Sequence, residues 1–119
     1  MDYSKLSDFE INKRVATSLG YRLYKDGSSC QHNYVSVEDY GKCGSISMEW
    51  CNNPAEAWPI ITSNRIALSP LFGGEWRASV DDECGFISYT CSTENPLRAA
   101  MTVFIMLQGS SNVQDNLSR

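Results

Sequence analysis

Few side chains in this sequence have both the type and the spacing that catalysis requires. His32 is the single histidine, and Cys30 precedes it by two residues. A nucleophilic thiol needs a positioned base, and this short spacing in a polar, loop-like segment is weak geometry for such a pair. The acidic run 81–83 is more typical of a solvated turn between strands than of an acid–base or cation site. Gly73-Gly74 lacks the strand–helix context of a phosphate-binding loop. We therefore expect no catalytic residues and no enzymatic activity.

The cysteines do not form a recognisable metal-binding pattern. They number five and lie at positions 30, 43, 51, 84 and 91, so they cannot all pair within the chain. No C-x-x-C motif and no Cys/His cluster at zinc spacing occurs. Cys30, His32, Cys43 and Cys51 can be imagined as ligands, but their spacings match no compact zinc knuckle. We predict five reduced thiols, no metal and no cofactor.

Arg98 and two tryptophans are the candidate binding residues. Arg98 lies three residues after Asn95, in the first turn of a predicted helix, where the helix dipole disfavours a cation. A salt bridge to Glu94 or to an acid of the sheet is one explanation. The other is an anion site, in which helix-start N–H groups and the guanidinium receive a phosphate or carboxylate. Trp58 and Trp76 either fill the core or form a stacking or partner-binding surface beside Arg98.

Capping signals place three helices along the chain. Ser7 and Glu10 fit a capping box, which together with Gly20 as the stop predicts a helix over 8–19. Two Asn-Pro pairs, in which Asn caps and Pro occupies the first helical position, begin the others. The second spans 54–63, is short or bent at Pro59 and packs Trp58 and Ile61 inward. The third spans 96–108, is apolar almost all round, and ends at Gly109.

The remaining segments predict antiparallel strands. Residues 66–69 and 76–80 flank a turn and read as a hairpin, with alternation at Trp76, Ala78 and Val80. Further short strands are predicted over 21–24, 34–37, 45–48 and 86–91, although the 30–44 stretch has no clear period. The predicted fold class is therefore α+β, a layered α/β/α sandwich with one antiparallel sheet of four to five strands and three helices. A single domain spans 1–109, and 110–119 is a flexible polar tail.

Composition and charge exclude several classes of partner. The chain has 119 residues, 42% of them hydrophobic and 20% charged, which fits one globular domain. Its net charge is −4 and its basic residues are scattered, so duplex nucleic acid is not an expected partner. No run of about 18 apolar residues and no secretory signal is found. We expect a cytoplasmic protein that does not enter membranes.

Three motifs carry a resemblance to a known family. Residues 1–13, 51–61 and 95–101 resemble the NinX-type family of small bacteriophage and prophage proteins, which is similar in turn to phage α-β-α sandwich domains. The resemblance implies an accessory gene product of the lambdoid nin region, without established chemistry and without catalytic residues to transfer. We expect a protein that binds a host or phage protein and so modulates host physiology or defence. The alternative is a small-ligand binder that sequesters a nucleotide-like anion. The oligomeric state stays open.

Overall fold

The computed structural model describes residues 3–24, 34–38, 44–81, 85 and 88–117, with the backbone alone for Ser4 and 110–117. After a 3-10 turn at Tyr3–Lys5, the helices are α1 (Asp8–Ser18), α2 (Pro54–Ser63) and α3 (Pro96–Leu117). The strands are β1 (Val35–Glu38), β2 (Ser45–Met48), β3 (Ala67–Pro70), β4 (Trp76–Asp81) and β5 (Ser88–Thr93).

The α+β class with three helices and antiparallel strands is confirmed, but the strands form two sheets rather than the single sheet expected. β1 pairs with β2, and β3, β4 and β5 form the second sheet in that order. The β3–β4 hairpin has the predicted alternation, because Trp76, Ala78 and Val80 are less exposed than Arg77 and Asp81. The predicted strand over 21–24 is wrong, since only an isolated bridge joins Leu23 to Val37.

The predicted helix starts are confirmed by their hydrogen bonds. The Ser7 hydroxyl accepts the Glu10 N–H at 3.1 Å, while the Glu10 carboxylate accepts the Ser7 N–H at 3.3 Å. Asn53 caps α2 by accepting the Ala55 N–H at 3.0 Å. Asn95 caps α3 in the same way. Each cap pairs first-turn donors that the helix itself leaves unbonded.

The predicted end of the third helix is wrong. α3 continues through Gly109 to Leu117, so Gly109 is an interior helical residue rather than a stop. Glycine at a helix end has a left-handed backbone, as Gly20 does after α1 with a φ of 88°. Gly109 has no such positive φ. Flexibility of residues 110–119 stays a prediction.

Helix α3 forms the centre of the core, as its nearly uniform apolar sequence predicts. Residues 99–105 are all buried, and α3 packs against β4, β5, α1 and α2. On α1, Ile11 and Val15 are fully buried, and α1 also contacts β1. The opposite face of the three-stranded sheet, which includes Arg77 and Thr90, is exposed or partly exposed. Helix α3 therefore covers one face of this sheet.

Candidate binding surfaces

Arg98 is held in an ion pair at the junction of two helix starts. Its Nη1 pairs with the carboxylate of Asp8 in the first turn of α1, and its Nη2 donates to the carbonyl of Leu6. The sequence suggested Glu94 or an acid of the sheet as the partner of Arg98, and both suggestions are wrong. The two side chains are only 18% and 22% exposed. The Asp8 carboxylate supplies the negative charge that makes a cation tolerable in this first turn.

Asn95 does more than cap α3. Its Oδ1 accepts the N–H groups of Leu97 and Arg98 at 2.9 and 3.3 Å. Its Nδ2 donates to the Cys51 carbonyl and to Asn52 Oδ1, both at 2.8 Å. Asn52 in turn donates to Asp8 at 3.1 Å. We call Asp8, Asn52, Asn95 and Arg98 the polar junction, because their side chains connect the first turns of α1 and α3 with the turn before α2.

A second set of hydrogen bonds fixes the turn that precedes α2. The fully buried Asn12 accepts the Cys51 N–H at 3.0 Å. The Glu56 carboxylate accepts the Glu49 N–H at 2.6 Å. These bonds satisfy polar groups that burial would otherwise leave unpaired. The hydrogen bonds around Arg98 therefore join parts of the fold to one another. The Asp8 carboxylate occupies the position that a bound anion would take beside the guanidinium.

The two described thiols are poor candidates for nucleophiles. Cys51 and Cys91 are free thiols. Burial raises the pKa of the Cys51 thiol, and the Asp8 carboxylate raises it further, against an opposing effect of Arg98. Burial also raises the pKa of Cys91, although Thr102 and Arg98 oppose this shift. Because the thiolate is the reactive form, a raised pKa makes each thiol less reactive at neutral pH.

Several residues considered for chemistry lie outside the described part of the chain. They are Cys30, His32, Cys43, Asp82, Glu83 and Cys84. Within the described residues, no group of three or more His, Cys, Asp or Glu side chains is placed to hold a metal ion.

The tryptophans occupy three different environments. Trp58 is 61% exposed on α2, so the prediction that it packs inward is wrong. Trp76 is half-buried on the α3-facing side of β4. The core tryptophan is Trp50, which is 2% exposed. The centroid of its ring lies 6.0 Å from that of the Tyr21 ring. Trp50 is not among the candidate residues predicted from the sequence; its place beside the Cys51 motif before α2 was the available signal. Among the described hydrogen bonds and ring pairs, none joins Trp58 or Trp76 to Arg98.

The outward face of α2 is apolar where a surface helix is normally polar. Its inward face buries Ala57, Ile60 and Ile61. The opposite stripe, at helical spacing, exposes Ala55, Trp58, Pro59 and Thr62. The Thr62 hydroxyl bonds back to the Trp58 carbonyl at 3.1 Å, inside the helix. We call these four exposed residues the α2 surface.

A second large aromatic side chain is exposed on a turn. Phe72 is fully exposed in the loop between β3 and β4. The following Gly73 and Gly74 have φ values of 99° and 89°, a backbone region that favours glycine. Burying Phe72 would remove apolar area from water, yet the fold leaves the ring outside.

The structure is a small α+β domain that exposes large apolar side chains, among them Trp58 and Phe72. The chain belongs to the family described as Bacteriophage P22, NinX, whose family model matches residues 2–108. The resemblance carried by the three motifs is thereby confirmed. The protein is a member of a bacteriophage protein family.

A solved structure supports the fold. The chain is similar to a phage protein from Bacillus cereus ATCC 14579, known from a 2.0 Å crystal structure. The TM-score is 0.63 at 14% identity, and the alignment covers 85% of this chain and 88% of that one. At this identity the likeness shows the fold alone. A search of curated proteins finds no match. In the described part of the chain, no helix has the length and apolarity needed to cross a membrane.

Proposed function

We propose that this phage protein is an accessory factor that acts in the host cytoplasm by binding a host or phage protein through the α2 surface, and that it is not an enzyme. One observation carries the proposal: Trp58 is 61% exposed at the centre of an apolar stripe. Tryptophan is the side chain most enriched among residues that dominate binding energy at protein interfaces. An accessory protein that works by association needs such a residue on its surface.

The structure of α2 favours an occupant with both apolar and hydrogen-bonding groups. Its stripe of Ala55, Trp58, Pro59 and Thr62 runs along two turns of the helix. Pro59 has no N–H, so the helix bond that would end on the Ala55 carbonyl cannot form. The regular helical bond to this carbonyl is therefore missing next to the tryptophan. A protein partner can supply an apolar pocket and a donor together.

The alternative, a nucleotide-like anion bound at Arg98, has less support. The guanidinium of Arg98 is already used by Asp8 and by the Leu6 carbonyl. A ligand there would have to displace a carboxylate held by the polar junction. Trp58 and Trp76 are also not joined to Arg98 by any described contact. The α2 surface requires no such displacement.

The test combines site-specific crosslinking with matched variants. A photoreactive amino acid at position 58, introduced in infected bacteria, is expected to capture one partner that mass spectrometry identifies. With the purified partner, Trp58→Ala should weaken binding by about 2 kcal/mol or more, which is about thirtyfold in Kd. Because Trp58 is exposed, the melting temperature of the variant should stay close to that of the parent.

Phe72→Ala is the matched control, since it removes an exposed aromatic side chain elsewhere. Equal losses from Phe72→Ala and Trp58→Ala would show that exposed aromatic area in general, and not the α2 surface, drives capture. Unchanged binding by a folded Trp58→Ala variant would reject the proposed surface. Turnover of a substrate by the pure protein would reject the non-enzymatic part of the proposal.

A further inference from the structure

A groove lies between the 3-10 turn, α1 and α3. None of its described lining residues belongs to the α2 surface. The groove has a cavity volume of about 510 Å³, within the range typical of small-molecule sites. One wall is the stripe of α1 that carries Phe9, Lys13 and Arg14. Tyr3 of the 3-10 turn lines it as well, and Ile105 of α3, which is only 4% exposed, contributes buried apolar surface. The groove therefore combines apolar, aromatic and cationic surface in one concave place.

The two cations of this groove form no ion pair within the described chain. Glu10 also lines the groove, but its Oε1 is engaged by the Ser7 N–H at 3.3 Å and the Ser7 hydroxyl at 3.2 Å. Among the described residues, the only ion pair joins Arg98 to Asp8. Lys13 and Arg14 thus face the groove without a carboxylate partner among those residues. The described lining therefore has one more positive than negative side chain, which favours an anionic ligand.

The groove also positions its cations. The ammonium of Lys13 lies 6.0 Å from the centroid of the Phe9 ring, at the limit of a cation–π contact. Arg14, one residue further along α1, lines the same groove. Opposite them, Tyr3 lies close to the α3 backbone: a Cβ added at Gly109 would be 3.5 Å from the Tyr3 hydroxyl oxygen. That distance is an ordinary van der Waals contact, so the Tyr3 hydroxyl lies directly against this part of α3.

We propose that this groove binds a nucleoside monophosphate, a planar base joined to a phosphate, independently of the protein partner at the α2 surface. Lys13 and Arg14 receive the phosphate, and the guanidinium offers paired donors to its oxygens. The Tyr3 ring and Ile105 provide the apolar surface for the base. Gln108 lines the same groove and supplies an amide for the polar edge of the base.

Calorimetric titration of the full chain with AMP, GMP, CMP and UMP tests the proposal. At least one of them should bind with a Kd below about 1 mM. Its nucleoside and ribose 5-phosphate should each bind at least about tenfold more weakly, because each lacks one half of the recognised chemistry. Raising the salt concentration should weaken binding, since the contacts to phosphate are electrostatic.

Arg14→Glu is the decisive variant, because Arg14 is exposed and its replacement should leave the fold intact. It should weaken binding at least about tenfold. Arg77→Glu changes the net charge equally on the exposed face of β4, outside the groove, and should bind as the parent does. The proposal is overturned if none of the four nucleotides binds below about 1 mM, if ribose 5-phosphate binds equally well, or if Arg14→Glu binds as tightly as Arg77→Glu.

Discussion

Replacing Asn95 by alanine should cost more stability than replacing Asn53, although both residues cap a helix in an Asn-Pro pair. The Asn53 side chain makes the cap bond alone, to the Ala55 N–H. Losing such a cap costs about 1 kcal/mol. Asn95 makes the cap and two further bonds, to the Cys51 carbonyl and to Asn52. Each further bond contributes about 0.5–1.5 kcal/mol. Asn95→Ala should therefore destabilise by about 2–4 kcal/mol and Asn53→Ala by about 1 kcal/mol.

Asn95→Asp separates the two roles of this side chain. The carboxylate keeps an acceptor for the Leu97 and Arg98 N–H groups and suits the positive end of the helix. It cannot donate, so the bonds to Cys51 and Asn52 are lost. The variant should therefore lose about 1–3 kcal/mol while its helix content is retained.

Urea unfolding, followed by circular dichroism and tryptophan fluorescence, measures these differences. The slope m should stay constant across the variants, so that a shift in midpoint reports stability alone. Equal losses in the free energy of unfolding from Asn95→Ala and Asn53→Ala would contradict this prediction, because the bonds from Asn95 Nδ2 would then contribute nothing.

Three further predictions concern other parts of the fold. Gly109→Ala should stabilise the protein by up to about 1 kcal/mol, because Gly109 is interior to α3; destabilisation in urea would instead indicate a helix end. A double-mutant cycle on Asp8→Ala and Arg98→Ala should give a coupling of about 1–2 kcal/mol, above that of an exposed pair, since both groups are mostly buried; a coupling near zero would contradict this. Stability should fall as pH rises through the ordinary thiol value of 9.0, because unfolded Cys51 ionises while folded Cys51, whose pKa is raised, stays protonated. Cys51→Ala should reduce that pH slope, and an unchanged slope would reject the explanation.

The helix starts could be predicted from the sequence because their causes are local. A cap connects residues two or three positions apart, so Ser7, Asn53 and Asn95 are sufficient signals in themselves. The β3–β4 hairpin was predictable for the same reason, since its alternation and turn lie within one short segment. Gly109 shows the limit of such signals: a glycine after an apolar helix can stop it or lie within it, and its neighbours do not decide.

The errors arose where distant segments meet. The Arg98 partner is Asp8, ninety positions away along the chain, and no local pattern connects them. Trp58 was predicted to face inward, but it is exposed. Because α2 is apolar on two sides, periodicity alone could not tell which side faces α3. The division of the strands into two sheets likewise depends on pairings between segments, which side-chain alternation within one strand does not determine.

The two proposed binding surfaces differ in physical character, and ionic strength can therefore separate them. The α2 surface contains no charged side chain, so its association with a partner depends on apolar burial and changes little with salt. The groove depends on Lys13 and Arg14, whose attraction for phosphate is screened by salt. They share no residue, and Trp58→Ala and Arg14→Glu should therefore act independently. If Arg14→Glu also weakened partner binding, a single interface extending over both surfaces would replace the two separate sites.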